Sequence, residues 1–384
     1  MVKWGSSGFG RQPASRREGI GRTTVKIDRR SIVGLALGSI FLSGARRPIS
    51  SAARRRLSID ANLVPPIEGP GRLSARAIAI IRAARLTTLR VNVEGDGTSA
   101  SAADAIDVIS AAIGANVDVL RRVRTIADIA ACQRDGRLGL IFGFEQAGQF
   151  GGEPDAITRY AAQGVRVMQL SYNEGSPFGS GVLNAASTGL TESGREAVAR
   201  MNAGGVTIDL SHSNDQTTLD VLAATSAPAA VTHAGCAAIT PHPRNKSDAV
   251  LRAVADGGGA VGIYELPFLT VSPKQPDTDD YLQHLLHALK ICGEDHVAIG
   301  SDAMMAPFDT SPANMRGYLA MVAKRRAQGI GASGEERPPF VTGLNRPDRI
   351  DVLAHALRRR GVPVRVIDKI TGGNWLRVFR DSWT

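Results

Sequence analysis

Leu138-Gly139-Leu140-Ile141-Phe142-Gly143-Phe144-Glu145 is a run of seven apolar or glycine residues closed by one carboxylate. It falls short of the roughly 10–12 residues a helix takes, and with no polar alternation it reads as a strand buried on both faces, as in a parallel sheet. The same figure recurs in Val206-Thr207-Ile208-Asp209-Leu210-Ser211-His212, in Pro228-Ala229-Ala230-Val231-Thr232-His233, and in His296-Val297-Ala298-Ile299-Gly300-Ser301-Asp302. Four polar side chains therefore stand where four buried strands stop.

Outward from these runs, short apolar segments alternate with longer amphipathic ones from about Leu57 onward, the pattern of repeated β-α units. Strands are expected at 58–60, 88–93, 138–145, 165–170, 206–211, 229–232, 260–264 and 297–301. Eight strands close a (β/α)8 TIM-type barrel of the metallo-dependent hydrolase kind. Helices are expected over 102–134, 191–202, 279–292 and 346–360, with Thr191 capping the second of these. Residues 329–348 read as a long polar loop, a lid or a subunit contact. No repeat of solenoid length and no phosphate loop occurs, so residues 57–384 are expected to form one catalytic domain.

The chain has 384 residues, 43% of them apolar, and a formal charge of +10. That charge is confined to the start: residues 1–56 carry 13 Lys and Arg against Glu18 and Asp28 alone. The remainder is nearly neutral, which argues against a nucleic-acid partner. Within the leader, Arg29-Arg30 precede an uncharged run over 31–45 that ends in the small residues Ser43-Gly44-Ala45, with a second such stretch at Ser51-Ala52-Ala53. This is the layout of a twin-arginine export signal, and it predicts handling by that export machinery and a periplasmic or exported location. The run is short for a span of about 20 residues, although an uncleaved leader would anchor the protein. Cys132, Cys236 and Cys292 are an odd number without a C-x-x-C pair, so no disulfide framework is read from them.

In a parallel barrel, residues at the C-terminal ends of the strands converge on one mouth. Glu145, His212, His233 and Asp302 would meet there despite their separation in sequence. Two neutral imidazoles and a carboxylate suit zinc, with water completing the set, and such an ion brings the pKa of its water to about 7. Each residue also has a plainer role as a hydrogen-bonded strand end; their joint occurrence favours the metal. His284 and His287, three apart, belong to an outer helix, while His242 is a loop residue, His296 makes a structural hydrogen bond, and His355 faces solvent. No Gly-x-Ser-x-Gly elbow supports serine hydrolysis.

The wording around these residues is more specific. Ile208-Asp209-Leu210-Ser211-His212-Ser213, Thr232-His233-Ala234-Gly235, Pro241-His242-Pro243-Arg244-Asn245-Lys246-Ser247-Asp248, His296-Val297-Ala298-Ile299-Gly300-Ser301-Asp302 and Gly373-Asn374-Trp375-Leu376-Arg377-Val378-Phe379 resemble the membrane (renal) dipeptidase family of zinc peptidases. The resemblance runs from about Asp60 to Phe379. It implies a (β/α)8 barrel with a two-zinc centre that hydrolyses dipeptides and related amides. It also implies Glu145 as bridging carboxylate, His212 and His233 as ligands of one ion, Arg244 as the contact to the substrate carboxylate with Asn245 beside it, and Asp302 as the residue that binds the substrate amine and moves protons.

Two departures modify these implications. The family's first strand carries a His-x-Asp pair for the other zinc, where this chain has Asn62 and Val64; a further family histidine is replaced by Tyr172. One zinc per chain is therefore expected, and two only if the altered first site still binds. Tyr172 would donate to the oxyanion in place of an imidazole. Asp60 and Asn62 share a side of their strand and are read as contacts of the site, not ligands. The leading expectation is a zinc-dependent dipeptidase acting on a dipeptide or similar small amide. The alternatives are a non-catalytic protein that binds a small peptide or amino-acid derivative, and a hydrolase of another bond such as a lactone. The resemblance also suggests a homodimer.

Overall fold

Leu138–Phe144 does become a strand, and its side chains show why it is apolar throughout. Every residue of it is buried; Leu138, Leu140, Phe142 and Phe144 join a large core shared with the surrounding helices, while Ile141 joins a second core with Ile59, Val167, Ala230, Ala260 and Ala298. The second core is built from alternate residues of strands all round the sheet, as the lumen of a closed ring is. The computed structural model describes residues 56–184 and 186–383. The export signal expected in the leader lies outside the described residues. Among those residues, no helix is long and apolar enough to cross a membrane.

The ring consists of β1 (Ile59–Asp60), β2 (Thr88–Asn92), β3 (Leu138–Phe144), β4 (Val165–Gln169), β5 (Thr207–Asp209), β6 (Val231–Ala234), β7 (Val261–Ile263) and β8 (Val297–Ile299). Neighbours from β1 to β5 pair in parallel, as do β6, β7 and β8. Backbone bonds close the two seams: Leu210 N donates to Ala230 O at 2.7 Å between β5 and β6, and Ala61 N donates to Ile299 O at 3.1 Å between β1 and β8. These eight strands are the eight expected from the sequence, most of them shorter by a residue or two.

One element differs. The single helix expected over 102–134 is two helices, Ser99–Ala115 and Ile126–Asp135, separated by the strand Leu120–Val123, which lies along the first half of β3. Asn116 stops the first helix by bonding Ala112 O at 2.8 Å and Gly71 O at 3.0 Å, and Thr125 with Asp128 forms a capping box that starts the second. Thr191 caps the helix Glu192–Ala203, accepting from Gly194 N at 3.0 Å.

The bottom of the ring is plugged by the last helix, Asn374–Ser382. Trp375 stacks on Phe379 with centroids 5.8 Å apart, and its indole donates to Ile299 O at 2.8 Å. At the other end, the helix Pro312–Ala327 and the chain that follows it reach the loops around the mouth. Ile330 O accepts from Asn173 Nδ2 at 2.9 Å, and Ser333 O lies 2.9 Å from His242 Nε2. The segment read as a polar loop thus touches loops beyond β4 and β6.

Candidate metal centre

The two histidines are oriented by what holds their outer nitrogens. Asn173 gives its amide protons to Ile330 O, so its Oδ1 faces His212 Nδ1 at 2.7 Å and calls for a proton on that nitrogen. Thr232 Oγ1 donates to Asp209 Oδ2 at 2.6 Å and therefore accepts from His233 Nδ1 at 2.8 Å. Both Nε2 atoms are left with lone pairs, and they face each other 3.1 Å apart. Burial first, and then the Arg244 guanidinium, holds both rings well below the usual imidazole range, so neither is charged at neutral pH.

Two lone pairs at that separation repel unless positive charge accompanies them; the Arg244 guanidinium provides some at His212, and a cation held by both nitrogens would provide more. A tetrahedral zinc with bonds of ~2.0–2.1 Å separates its ligand atoms by roughly 3.3 Å. The outer-nitrogen bonds to Asn173 and Thr232 are the kind that fix metal-binding tautomers. The donor set therefore fits zinc.

Carboxylates complete the cluster. Glu145, at the end of β3, and Asp302, beyond β8, each place an oxygen 3.9 Å from His233 Nε2. The ligating atoms of Glu145, His233 and Asp302 all lie within 4.8 Å of one another. His212 meets this trio at His233. Asp302 has φ of 51°, an αL conformation uncommon outside glycine, and its backbone N–H donates to Asn62 O at 2.7 Å. Burial, then the Glu145 carboxylate, raises its carboxyl well above the ordinary range.

Asn62 joins the cluster where the resemblance would place a histidine. Its Nδ2 donates to Glu145 Oε1 at 2.5 Å and Asp302 Oδ1 at 3.0 Å. Val64 is 43% exposed and pairs with Met304 in a short parallel ladder. Asp60 is fully buried; its carboxylate accepts from Asn62 N and Ser301 N, both at 3.0 Å, and serves the loop.

Arg244 is buried; its Nη1 bonds Ser211 O and its Nη2 donates to His212 Nε2 at 3.1 Å. Tyr172 stacks on the His212 ring with centroids 4.2 Å apart, and its hydroxyl accepts from Arg325 Nη2 at 3.3 Å. Burial pushes that phenol up to about 12, so it keeps its proton. Asn245 is not brought to the cluster. Its amide is spent on Thr240 O, Phe268 O and the Tyr264 hydroxyl, bracing the loop that carries Arg244. His284 bonds Cys236 N and Leu269 O inside the fold, and His287 pairs with Asp248 at 2.7 Å. All three cysteines are free and buried.

Two residues in the site were not singled out from sequence. Glu94 follows β2, accepts from Glu145 N at 3.3 Å, and is pushed up to about 7 by burial and then by Glu145. Its signal was present, since Val91-Asn92-Val93-Glu94 also closes a strand with a carboxylate. Arg90, in the middle of β2, has a fully buried side chain with Nη1 at 3.3 Å from Glu145 Oε1.

A closed parallel barrel with imidazoles and carboxylates gathered at the C-terminal mouth defines the metallo-dependent hydrolases. The chain belongs to the membrane dipeptidase family, peptidase family M19, whose model matches residues 89–318. At the level of the family this is a metal-dependent dipeptide hydrolase. A Klebsiella pneumoniae protein from the pqqA 5′ region is 32% identical over 275 residues, 69% of this chain and 89% of its own. Dipeptidase tcpJ of Claviceps purpurea is 25% identical over 279 residues, 72% of this chain and 58% of its own. Among solved structures, an amidohydrolase from Pseudomonas aeruginosa aligns with a TM-score of 0.74 and 28% identity, over 85% of this chain and 97% of its own. Dipeptidase AC, a metallopeptidase of the same family, aligns with a TM-score of 0.69 over 86% of this chain and 99% of its own; at 21% identity the likeness is one of fold.

Proposed function

We propose that this chain is an exported dipeptidase that hydrolyses dipeptides or similarly small amides with a single zinc ion held by Glu145, His212 and His233. The observation that carries the reading is the pair of facing Nε2 lone pairs, 3.1 Å apart, beside the carboxylates of Glu145 and Asp302. When bound, zinc supplies Lewis acidity, polarising a carbonyl and making water acidic enough to lose a proton near neutral pH. The chain's own groups do the rest. Asp302, in contact with Asn62 and near His233, takes and returns the proton passed between water and leaving amine. Tyr172 donates its phenol proton to the oxyanion, and Arg325 orients that hydroxyl. Arg244 Nη2, displaced from His212 Nε2 when that nitrogen holds zinc, is freed to receive the substrate carboxylate while Nη1 stays on Ser211 O.

Metal analysis with a dipeptide panel tests this: about one zinc per chain and turnover are expected, and Glu145→Gln should lose most of both. Turnover unchanged in Glu145→Gln would refute the mechanism. A metal-free protein that binds dipeptides without cleaving them would instead identify the non-catalytic binder. Export rests on Arg29 and Arg30; changing both to Lys should leave the protein in the cytoplasmic fraction.

A further inference from the structure

We propose that Arg90 is a positioning residue acting as a built-in counter-cation for the carboxylates of the mouth, so that the barrel accepts one divalent cation and not two. The inference rests on the metal-centre reading above.

Arg90 lies in mid-strand on β2, between the buried Leu89 and Val91, and its own side chain is fully buried. A cation is costly to bury unless paired, and a lumen position that needed only filling would be apolar. Its Nη1 donates to Asn62 Oδ1 at 3.1 Å and sits 3.3 Å from Glu145 Oε1. Among the described residues, its Nε and Nη2 have no hydrogen-bond partner. Three carboxylates, Glu94, Glu145 and Asp302, gather around this spot, and the amide of Asn62 adds no charge. Arg244, another buried guanidinium of the mouth, is turned to Ser211 and His212. Arg90 is thus the counter-charge on the Asn62 side, and its field reaches Glu94, Asp302 and His233.

The neighbouring strand is built around it. A Cβ on Gly143 would lie 2.3 Å from Arg90 Nε and 3.0 Å from its Cγ. Glycine in the middle of β3 is otherwise unfavourable and here provides the clearance the side chain crosses. A permanent cation fixed 3.3 Å from Glu145 Oε1, the oxygen that also lies 3.9 Å from His233 Nε2, supplies positive charge where a second divalent ion would have to bind and repels it. One group therefore both neutralises Glu145 and limits the metal count.

The test counts zinc per chain by elemental analysis after the full chain is equilibrated with excess zinc sulfate and gel-filtered. Three variants are compared with the unmodified protein: Asn62→His, Asn62→His with Arg90→Met, and Asn62→His with Arg90→Lys. With an imidazole added but Arg90 present, the count should not rise. With Arg90→Met it should rise by one ion, and with Arg90→Lys it should return to the starting count. A packing role for Arg90 would not produce that rescue. A gain of zinc in Asn62→His alone, or none in the Arg90→Met combination, overturns the proposal. Should the Arg90→Met combination not fold, the Asn62→His arm still decides between the two outcomes. An unmodified protein without zinc would defeat the metal-centre reading, while the increment on removing Arg90 would still report on Arg90.

Discussion

Tyr172 occupies the face of His212 with its hydroxyl oxygen held by Arg325, which leaves its proton to donate toward the mouth. Removing one preorganised oxyanion donor costs about 10²–10³ in kcat. Tyr172→Phe should therefore lower kcat on a dipeptide by about 10² with little change in KM. Steady-state kinetics check this, and an unchanged kcat would exclude the role. A second residue-scale prediction concerns Glu265. Its Oε2 pairs with Arg349 Nη1 at 3.1 Å, and its Oε1 lies 3.0 Å from Ser301 Oγ, which also donates to Asp60 Oδ2 at 2.5 Å. One hydroxyl proton cannot serve both carboxylates, and burial pushes Glu265 up from 4.5 to about 7. A carboxyl raised on folding contributes stability that is fully present below about 4.5 and lost as pH rises through about 7. Urea unfolding across that window should show stability falling with pH, and Glu265→Gln should flatten the slope.

At the scale of elements, β2 and β3 are matched through an arginine and a glycine. Their register sets Asn92 opposite Gly143, and the Arg90 side chain passes over the glycine. Gly143→Ala should destabilise the protein by about 1–3 kcal/mol, the usual cost of overpacking. Adding Arg90→Met should recover part of this, because the Cβ would also lie 3.0 Å from Val167 O, which belongs to the backbone of β4. Denaturant midpoints of the single and double variants measure the effect. The pair also shows what was legible. Leu138–Phe144 is apolar throughout because both faces are buried, and that reads directly from sequence. Why two of its seven residues are glycine does not, since the group that needs the space is on another strand. The strand Leu120–Val123 was hidden for a related reason: its Leu-Arg-Arg-Val pattern is half charged, and only its pairing along β3 makes it a strand.

At the scale of the whole molecule, the mouth is held open and in shape by a ring whose far end is sealed by Trp375, Val378 and Phe379. Trp375→Ala should cost about 3–5 kcal/mol and lower the melting temperature, while dipeptide KM at a permissive temperature stays close to that of the unmodified protein. A large KM change with normal stability would mean the plug reaches the chemistry. The sequence by itself determined the barrel and the identity of most groups at its mouth. Strand ends announce themselves locally, as apolar runs closed by Glu145, His212, His233 and Asp302, and a parallel ring gathers such ends by topology alone. Only the tertiary structure decided which nitrogen of each imidazole is free, that Asn245 is spent on its own loop, and that Arg90 and Glu94 share the mouth. Most of those facts depend on hydrogen bonds and charges between residues tens to hundreds of positions apart, for which a linear pattern carries no signal.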